Sequence, residues 1–287
     1  MSETRTYPHG VPSWIDTVAD DLDAAKRFYA GLFDWTFTEA MPARTSPVAA
    51  LAPEARGSYL IATIGGEDVA AIGSPEDGDR PGWRTYIAVD DADAAARAVA
   101  AAGGTVTIEP VDAGPGGRLA ACVDPRGAEF RLWQARARPG AQRVNQPGTW
   151  NFSELHTTDP HAAAPFYATV FGWEVDDIGF ASFVRVPGYG DHLEATVYPD
   201  IRKVQADAMT PPGFEDAVAW MALQPQGHPE RWTVTFAVDD RDASAALVEE
   251  LGGSVVATDN AEWTLTATVR DPQGVEFVIS QFTPPSR

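Results

Sequence analysis

Asp124-Pro125-Arg126-Gly127-Ala128-Glu129-Phe130 returns 147 residues later (271 − 124) as Asp271-Pro272-Gln273-Gly274-Val275-Glu276-Phe277. Each copy places Asp, Pro and Gly where a type I turn wants them and continues into an apolar run, so each reads as the joint of a terminal hairpin. Moving outward, Trp83, Asp90-Asp91 and Gly103-Gly104 recur as Trp232, Asp239-Asp240 and Gly252-Gly253, displaced by 149 (232 − 83). Further towards the N-terminus, Trp14, Phe28-Tyr29 and Trp35 recur as Phe152, Phe166-Tyr167 and Trp173, displaced by 138 (173 − 35). Three blocks in one order mark an internal duplication, and differences between the copies become informative about function.

Each half reads as strand, helix, strand, strand, strand, performed twice. In the first module Ser13–Val18 is a strand, Asp21 caps a helix on which Leu22, Ala25, Tyr29 and Leu32 share a face, and Trp35–Thr38 is a second strand. Tyr59–Ile64 and Asp68–Ile72 follow as a hairpin around Gly65-Gly66. In the second module Arg84–Val89 is a strand, Asp90 or Asp91 opens an Ala-rich helix, Gly103-Gly104 ends it, and Leu119–Val123 pairs with Glu129–Trp133. The second half repeats the plan, except that Pro165 is expected to kink or delay its first helix. Residues 139–148 read as a linker between domains 1–138 and 149–287. The second half carries an insert, 188–215, with Ile201, Val204 and Ala208 at helical spacing, which reads either as a lid or as a surface excursion; the matching stretch 40–56 looks irregular.

The chain of 287 residues is 44% apolar and carries 21 Lys and Arg against 41 Asp and Glu, a formal charge of −20. Such a surface opposes polyanions, so neither nucleic acid nor an acidic membrane is an expected partner. No apolar run spans a bilayer and no signal core opens the chain, which points to the cytoplasm. The one cysteine, Cys122, sits in a strand-like run and reads as a buried thiol rather than a nucleophile.

Paired modules of this kind, with a helix opening on Asp21-Leu22-Asp23-Ala24-Ala25-Lys26-Arg27-Phe28-Tyr29 and a hairpin on Asp-Pro-x-Gly, resemble the vicinal oxygen chelate superfamily. That group includes glyoxalase I, extradiol dioxygenases, and fosfomycin- and bleomycin-resistance proteins. The resemblance covers nearly the whole chain and implies an α+β fold of four βαβββ modules forming two tandem glyoxalase-like cup domains. It also implies where metal-using relatives hold their ion. Carried over by spacing, those places are Trp14, Arg84 and Arg131 in the first half and Phe152, Thr233 and Val278 in the second. None is an imidazole, carboxylate or thiolate, so no metal and no cofactor is expected. A register shift of two would bring in Asp16, Tyr86 and Glu129, or Glu154, Thr235 and Glu276.

Strand alternation sorts the remaining candidates. Trp14, Asp16, Arg84, Tyr86, Glu129, Arg131 and Trp133 share the first cup, either as a salt-bridged polar core or as a pocket that stacks an aromatic ligand against the tryptophans. Phe152, Glu154 and His156 share the second with Thr233, Thr235, Glu276 and Ser280, and two carboxylates beside an imidazole with no obvious cation opposite is a costly set unless used. Glu154 is the candidate general base and His156 its proton partner; Tyr189 and His192 of the insert reach the cup mouth if the insert closes. The leading functional reading is a metal-independent protein that binds an aromatic or cationic organic molecule. The competing reading is a lyase, isomerase or dioxygenase of the glyoxalase type, either metal-dependent or using Glu154 and His156. Since two modules complete each cup, a monomer or weak homodimer suffices.

Overall fold

A computed structural model describes residues 4–41, 57–76, 79–177, 182–208 and 210–283. The irregular stretch expected at 40–56 lies almost wholly outside them.

The first module runs β1 (Pro12–Val18), α1 (Leu22–Phe33), β2 (Thr36–Met41), β3 (Tyr59–Ile64) and β4 (Glu67–Gly73). The second runs β5 (Arg84–Ala88), α2 (Ala92–Ala101), β6 (Thr105–Asp112), β7 (Gly117–Val123) and β8 (Glu129–Ala135). In the third come β9 (Trp150–Thr157), α3 (Pro160–Phe171), β10 (Glu174–Asp177), β11 (Ser182–Arg185), then α4 (Tyr189–Ala195), α5 (Ile201–Asp207) and β12 (Ala217–Leu223). The fourth contains β13 (Arg231–Ala237), α6 (Arg241–Glu250), β14 (Ser254–Asn260), β15 (Thr264–Arg270) and β16 (Glu276–Phe282). Two eight-stranded sheets result, ordered β2-β3-β4-β1-β5-β8-β7-β6 and β10-β11-β12-β9-β13-β16-β15-β14, one from each half. The expected α+β plan of four modules is therefore the fold. No helix among the described residues is long and apolar enough to cross a membrane.

Local chemistry explains the boundaries. All four module helices open on an aspartate, Asp21, Asp91, Asp159 or Asp240, whose carboxylate accepts the backbone N–H three residues on. Each satisfies a donor that the first turn otherwise orphans. Pro165 neither delays nor interrupts α3, which runs from Pro160 to Phe171 with the proline inside it. The proline sits on the exposed side of the helix, so the one carbonyl that loses its donor faces water. Strand β6, which the module plan called for without bounds, contains Pro110; the strand is a sheet edge, where the missing N–H costs no ladder bond.

Packing divides the chain differently from the sequence halves. Unit 1 comprises Met1–Ser13, Thr85–Gly140 and Ser153–Trp232, and unit 2 comprises Trp14–Arg84, Ala141–Phe152 and Thr233–Arg287. The second and third modules thus share one compact unit, and the first and fourth share the other. The recurring motifs say why. In unit 1 the Tyr167 hydroxyl donates to Asp124 Oδ2 at 2.9 Å, while Asp124 Oδ1 takes the N–H groups of Arg126 and Ala128 at 2.8 and 2.9 Å. In unit 2 the Tyr29 hydroxyl donates to Asp271 Oδ2 at 3.1 Å, and Asp271 Oδ1 takes the N–H groups of Gln273 and Val275 at 2.8 and 2.9 Å. The Phe-Tyr motif of one module is therefore clasped by the Asp-Pro-x-Gly turn of another. Burial pushes both phenols well above their ordinary pKa and also raises that of the Asp271 carboxyl.

The paired tryptophans complete the same two cores. Trp173 stacks on Tyr167 with ring centres 4.8 Å apart and Trp232 meets its edge; Trp35 and Trp83 do the same at Tyr29. The insert packs into unit 1 through Tyr189, Leu193 and Ile201, all buried in its apolar core. Val204, expected on the same inward face as Ile201, is 45% exposed.

Candidate functional site

In unit 1, Leu155 of β9 points into the apolar core, so Glu154 and His156 emerge on the opposite face of the strand. His156 Nε2 lies 3.3 Å from Glu154 Oε2, with side chains 24% and 30% exposed. That nitrogen is buried and has no aligned hydrogen bond, so imidazole and carboxylate are in close approach without a formed bond. The parallel register of β12 sets Trp220 beside Glu154 and Ala222 beside His156. On β11 Phe183 lies beside Trp220, and on β10 Asp176 lies beside Phe183. Phe183 and Trp220 meet with ring centres 5.3 Å apart, and Phe214 at the end of the insert stacks on Phe183 at 5.5 Å and 8°. An aromatic row thus leads to a carboxylate and an imidazole. At its far end Arg185 is held by Glu174 and Asp176 at 3.1 and 2.7 Å.

The other candidates of unit 1 are placed as follows. Tyr86 pairs in register with Arg131, and its ring meets Trp133 edge-on at 6.4 Å. The Trp133 indole N–H donates to the Arg138 carbonyl at 2.8 Å. Glu129, offered by the shifted register, is exposed. Tyr189 is buried and its phenol pKa is raised by burial, while His192 stacks on Tyr189 and bonds the Thr6 carbonyl at 3.1 Å. The insert is thus fastened to the N-terminal segment through the two residues expected to reach a ligand. A groove of about 280 Å³ lined by Pro160, His161, Ala164, Trp173, Val175 and Asp177 flanks α3, on the face away from Glu154. Burial pushes the Cys122 thiol up to about 12, which leaves it inert.

In unit 2 the first-half candidates form a closed chain. The Trp14 indole donates to the Tyr59 hydroxyl at 3.0 Å, and that hydroxyl donates to Asp16 Oδ2 at 3.0 Å. Arg84 Nε donates to Asp16 Oδ1 at 2.6 Å and its Nη1 to Asp79 at 3.0 Å. Asp16 is 1% exposed, yet both oxygens are satisfied, which is the salt-bridged alternative for this cluster. Glu276 is paired with Arg270 at 3.2 Å, correcting the expectation of a carboxylate without a cation. Thr233 and Thr235 lie on the side of β13 away from the buried Val234 and Phe236, and Phe152 is half buried.

Sequence reasoning missed Tyr59 and Asp79, because nothing in their spacing ties them to Asp16. It also missed Trp220, although alternation with Ala219 and Met221, both fully buried, marks it as facing the other way.

Comparison with known proteins gives the context. The model described as "Glyoxalase/Bleomycin resistance protein/Dioxygenase superfamily" matches residues 12–132, and that described as "Glyoxalase-like domain" matches residues 153–280. The Mycobacterium tuberculosis protein named "Putative glyoxylase CFP32" is 36% identical over 293 residues, covering 99% of each chain. "Anthracycline biosynthesis protein DnrV" of Streptomyces peucetius is 32% identical over 267 residues, 88% of this chain and 85% of DnrV. Among solved structures, the Mn(II)-bound glyoxalase from Novosphingobium aromaticivorans superposes with a TM-score of 0.60 at 17% identity, over 98% of this chain and 83% of that one.

A metal ion as in that glyoxalase does not fit the side chains present here. The spacing-matched places hold indole, guanidinium, phenyl, hydroxyl and isopropyl groups, and Asp16 is consumed by Arg84 and Tyr59. Glu154 and His156 supply two donors, and among the described residues no three His, Cys, Asp or Glu side chains converge as ligands. Matched in each half and related along its full length to such proteins, the chain belongs to the glyoxalase, bleomycin resistance and dioxygenase superfamily.

Proposed function

We propose that this protein binds a planar organic molecule on the Glu154 face of unit 1 without a metal ion. The observation that carries the reading is the row Phe183, Trp220, Glu154, with an unbonded His156 nitrogen beside it. Trp220 and Phe214 are half buried, so they present ring surface to a flat partner, and stacking of that kind contributes about 0.5–1.5 kcal/mol beyond area burial. Glu154 and His156 then supply an acceptor and a donor at one edge. The kinship with an anthracycline biosynthesis protein supports the same choice, since anthracyclines are fused planar rings. Calorimetric screening with planar aromatic compounds tests it: Trp220→Ala is expected to weaken the best binder at least about tenfold, roughly 1.4 kcal/mol. Equal affinity in the variant rejects the reading.

The 3.3 Å approach of His156 to Glu154 favours a second reading, in which the pair moves a proton on the bound molecule. In that case Glu154→Gln, which keeps an acceptor oxygen but cannot take up a proton, abolishes turnover of the compound while weakening its binding less than Trp220→Ala does. A rate insensitive to this substitution removes the acid–base role.

A further inference from the structure

We infer that the N-terminal residues Arg5, Thr6 and Tyr7 form a strap that holds the insert shut over the aromatic row of unit 1, so that access to the row is set from the N-terminus. The inference rests on the reading of that row as the binding surface. Val184 of β11 points into the apolar core, so Phe183 faces the other way, beside Trp220. Phe183 is nonetheless only 3% exposed. Phe214, at the end of the insert, lies flat on it and also meets Trp220, with ring centres 6.2 Å apart. A planar ligand that is to stack on that face of Phe183 must displace Phe214.

Phe214 is positioned through the base of the insert. The Asp216 carboxylate, two residues on, accepts the N–H groups of Gly188 and Gly190 at 3.2 and 2.7 Å, which draws the two ends of the insert together. Contact there is close, since a Cβ at Gly190 would lie 2.4 Å from Glu215 Cγ. The ends turn on Gly188 and Gly213, at φ +85° and +80°, a region that suits glycine. Helix α4 therefore carries Phe214 with it, and α4 is tied to the strap. His192 Nε2 bonds the Thr6 carbonyl at 3.1 Å, and the Arg5 guanidinium bonds the Tyr189 hydroxyl. Tyr7 anchors the strap itself: it packs against the apolar core of unit 1, and a Cβ at Gly140 would lie 2.8 Å from its ring. Helix α5 adds the buried Ile201, while Tyr198 just before it is 38% exposed. An insert held by so small an apolar face opens locally at modest cost, and two polar ties to the strap then weigh heavily in that equilibrium.

Two ligand-free measurements on the full-length protein test this: amide hydrogen exchange, and oxidative footprinting of Phe183 and Trp220, both read by mass spectrometry. Arg5→Ala leaves the sequence of the insert intact, and Arg5→Ala with His192→Ala removes both ties. Each tie is expected to change the opening equilibrium about fivefold, so exchange of the α4 and α5 amides speeds up about fivefold in the single variant and roughly twentyfold in the double, with β9 and α3 unchanged. Labelling of Phe183 and Trp220 rises in the same order. Exchange that is unchanged in both variants, or that quickens while Phe183 and Trp220 are labelled as in the wild type, overturns the inference. Because no ligand is used, its failure is distinct from that of the binding reading, which Trp220→Ala decides.

Discussion

Replacing Tyr167 by Phe removes a single oxygen from the centre of unit 1. That oxygen donates to Asp124 Oδ2 at 2.9 Å and accepts the Trp232 indole N–H at 3.3 Å, in a site where Tyr167 is 0% exposed. A buried hydrogen bond to a carboxylate contributes about 1.5–3 kcal/mol, and orphaning the indole N–H adds about 1 kcal/mol. The expected loss is on the order of 3 kcal/mol, or about 6–12 °C of melting temperature for a domain of this size. Tyr29→Phe makes the internal control. Its hydroxyl meets Asp271 Oδ2 at 3.1 Å, but the Trp83 indole nitrogen beside it already lacks a hydrogen-bond partner, so only the carboxylate bond is lost. The cost falls to about 2 kcal/mol. Scanning calorimetry of both variants at pH 7 distinguishes them. A loss under about 0.5 kcal/mol for Tyr167→Phe, or a larger loss for Tyr29→Phe, would refute the claim that these clasps join modules of different halves.

Burial alone would raise the pKa of Glu230, but the Thr157 and Thr158 hydroxyls, the Thr158 N–H and Arg126 outweigh it and hold the carboxyl at about 2 against an ordinary 4.5. A depressed acid stabilises the fold above its unfolded pKa, so the roughly 3 kcal/mol implied by this shift is present above about pH 4.5 and lost as pH falls toward 2; the melting temperatures of wild type and Glu230→Gln should converge over that window. Pro165→Ala restores a helical N–H on an exposed position and should raise the melting temperature, by about 1–3 kcal/mol of stability; an unchanged or lowered value contradicts the account of α3. Cys122, its thiol pushed up to about 12 by burial, should resist a thiol reagent at pH 8 in the native protein and react fully in denaturant.

The sequence carried the module plan because turn chemistry and helix caps are local. Asp124 and Asp271 each bond N–H groups within four residues, so their role could be read from adjacent letters. Their other oxygens could not be read, because Tyr167 and Tyr29 lie 43 and 242 residues away and a repeat does not say which copy meets which. Glu154 and His156 were legible as one strand face, whereas Trp220 lies 66 positions from Glu154 (220 − 154) and becomes its neighbour only through the parallel register. Tyr189 and His192 looked available because loop residues of a polar insert usually are; burial of Tyr189 and the bond of His192 to Thr6 depend on contacts with the N-terminal segment. Pro165 misled because one interior proline removes a single i→i−4 bond without ending a helix whose other face, through Ala163, Phe166, Tyr167 and Val170, is held in the core.

The central claim is that recognition on the Glu154 face needs no ion. Calorimetric titration of the best planar aromatic ligand into protein stripped with a chelator, then into the same protein given one equivalent of Mn(II), addresses it directly. The account predicts the same affinity in both titrations and at least a roughly tenfold loss in Trp220→Ala. Binding that vanishes in the stripped protein and returns with Mn(II) would contradict it.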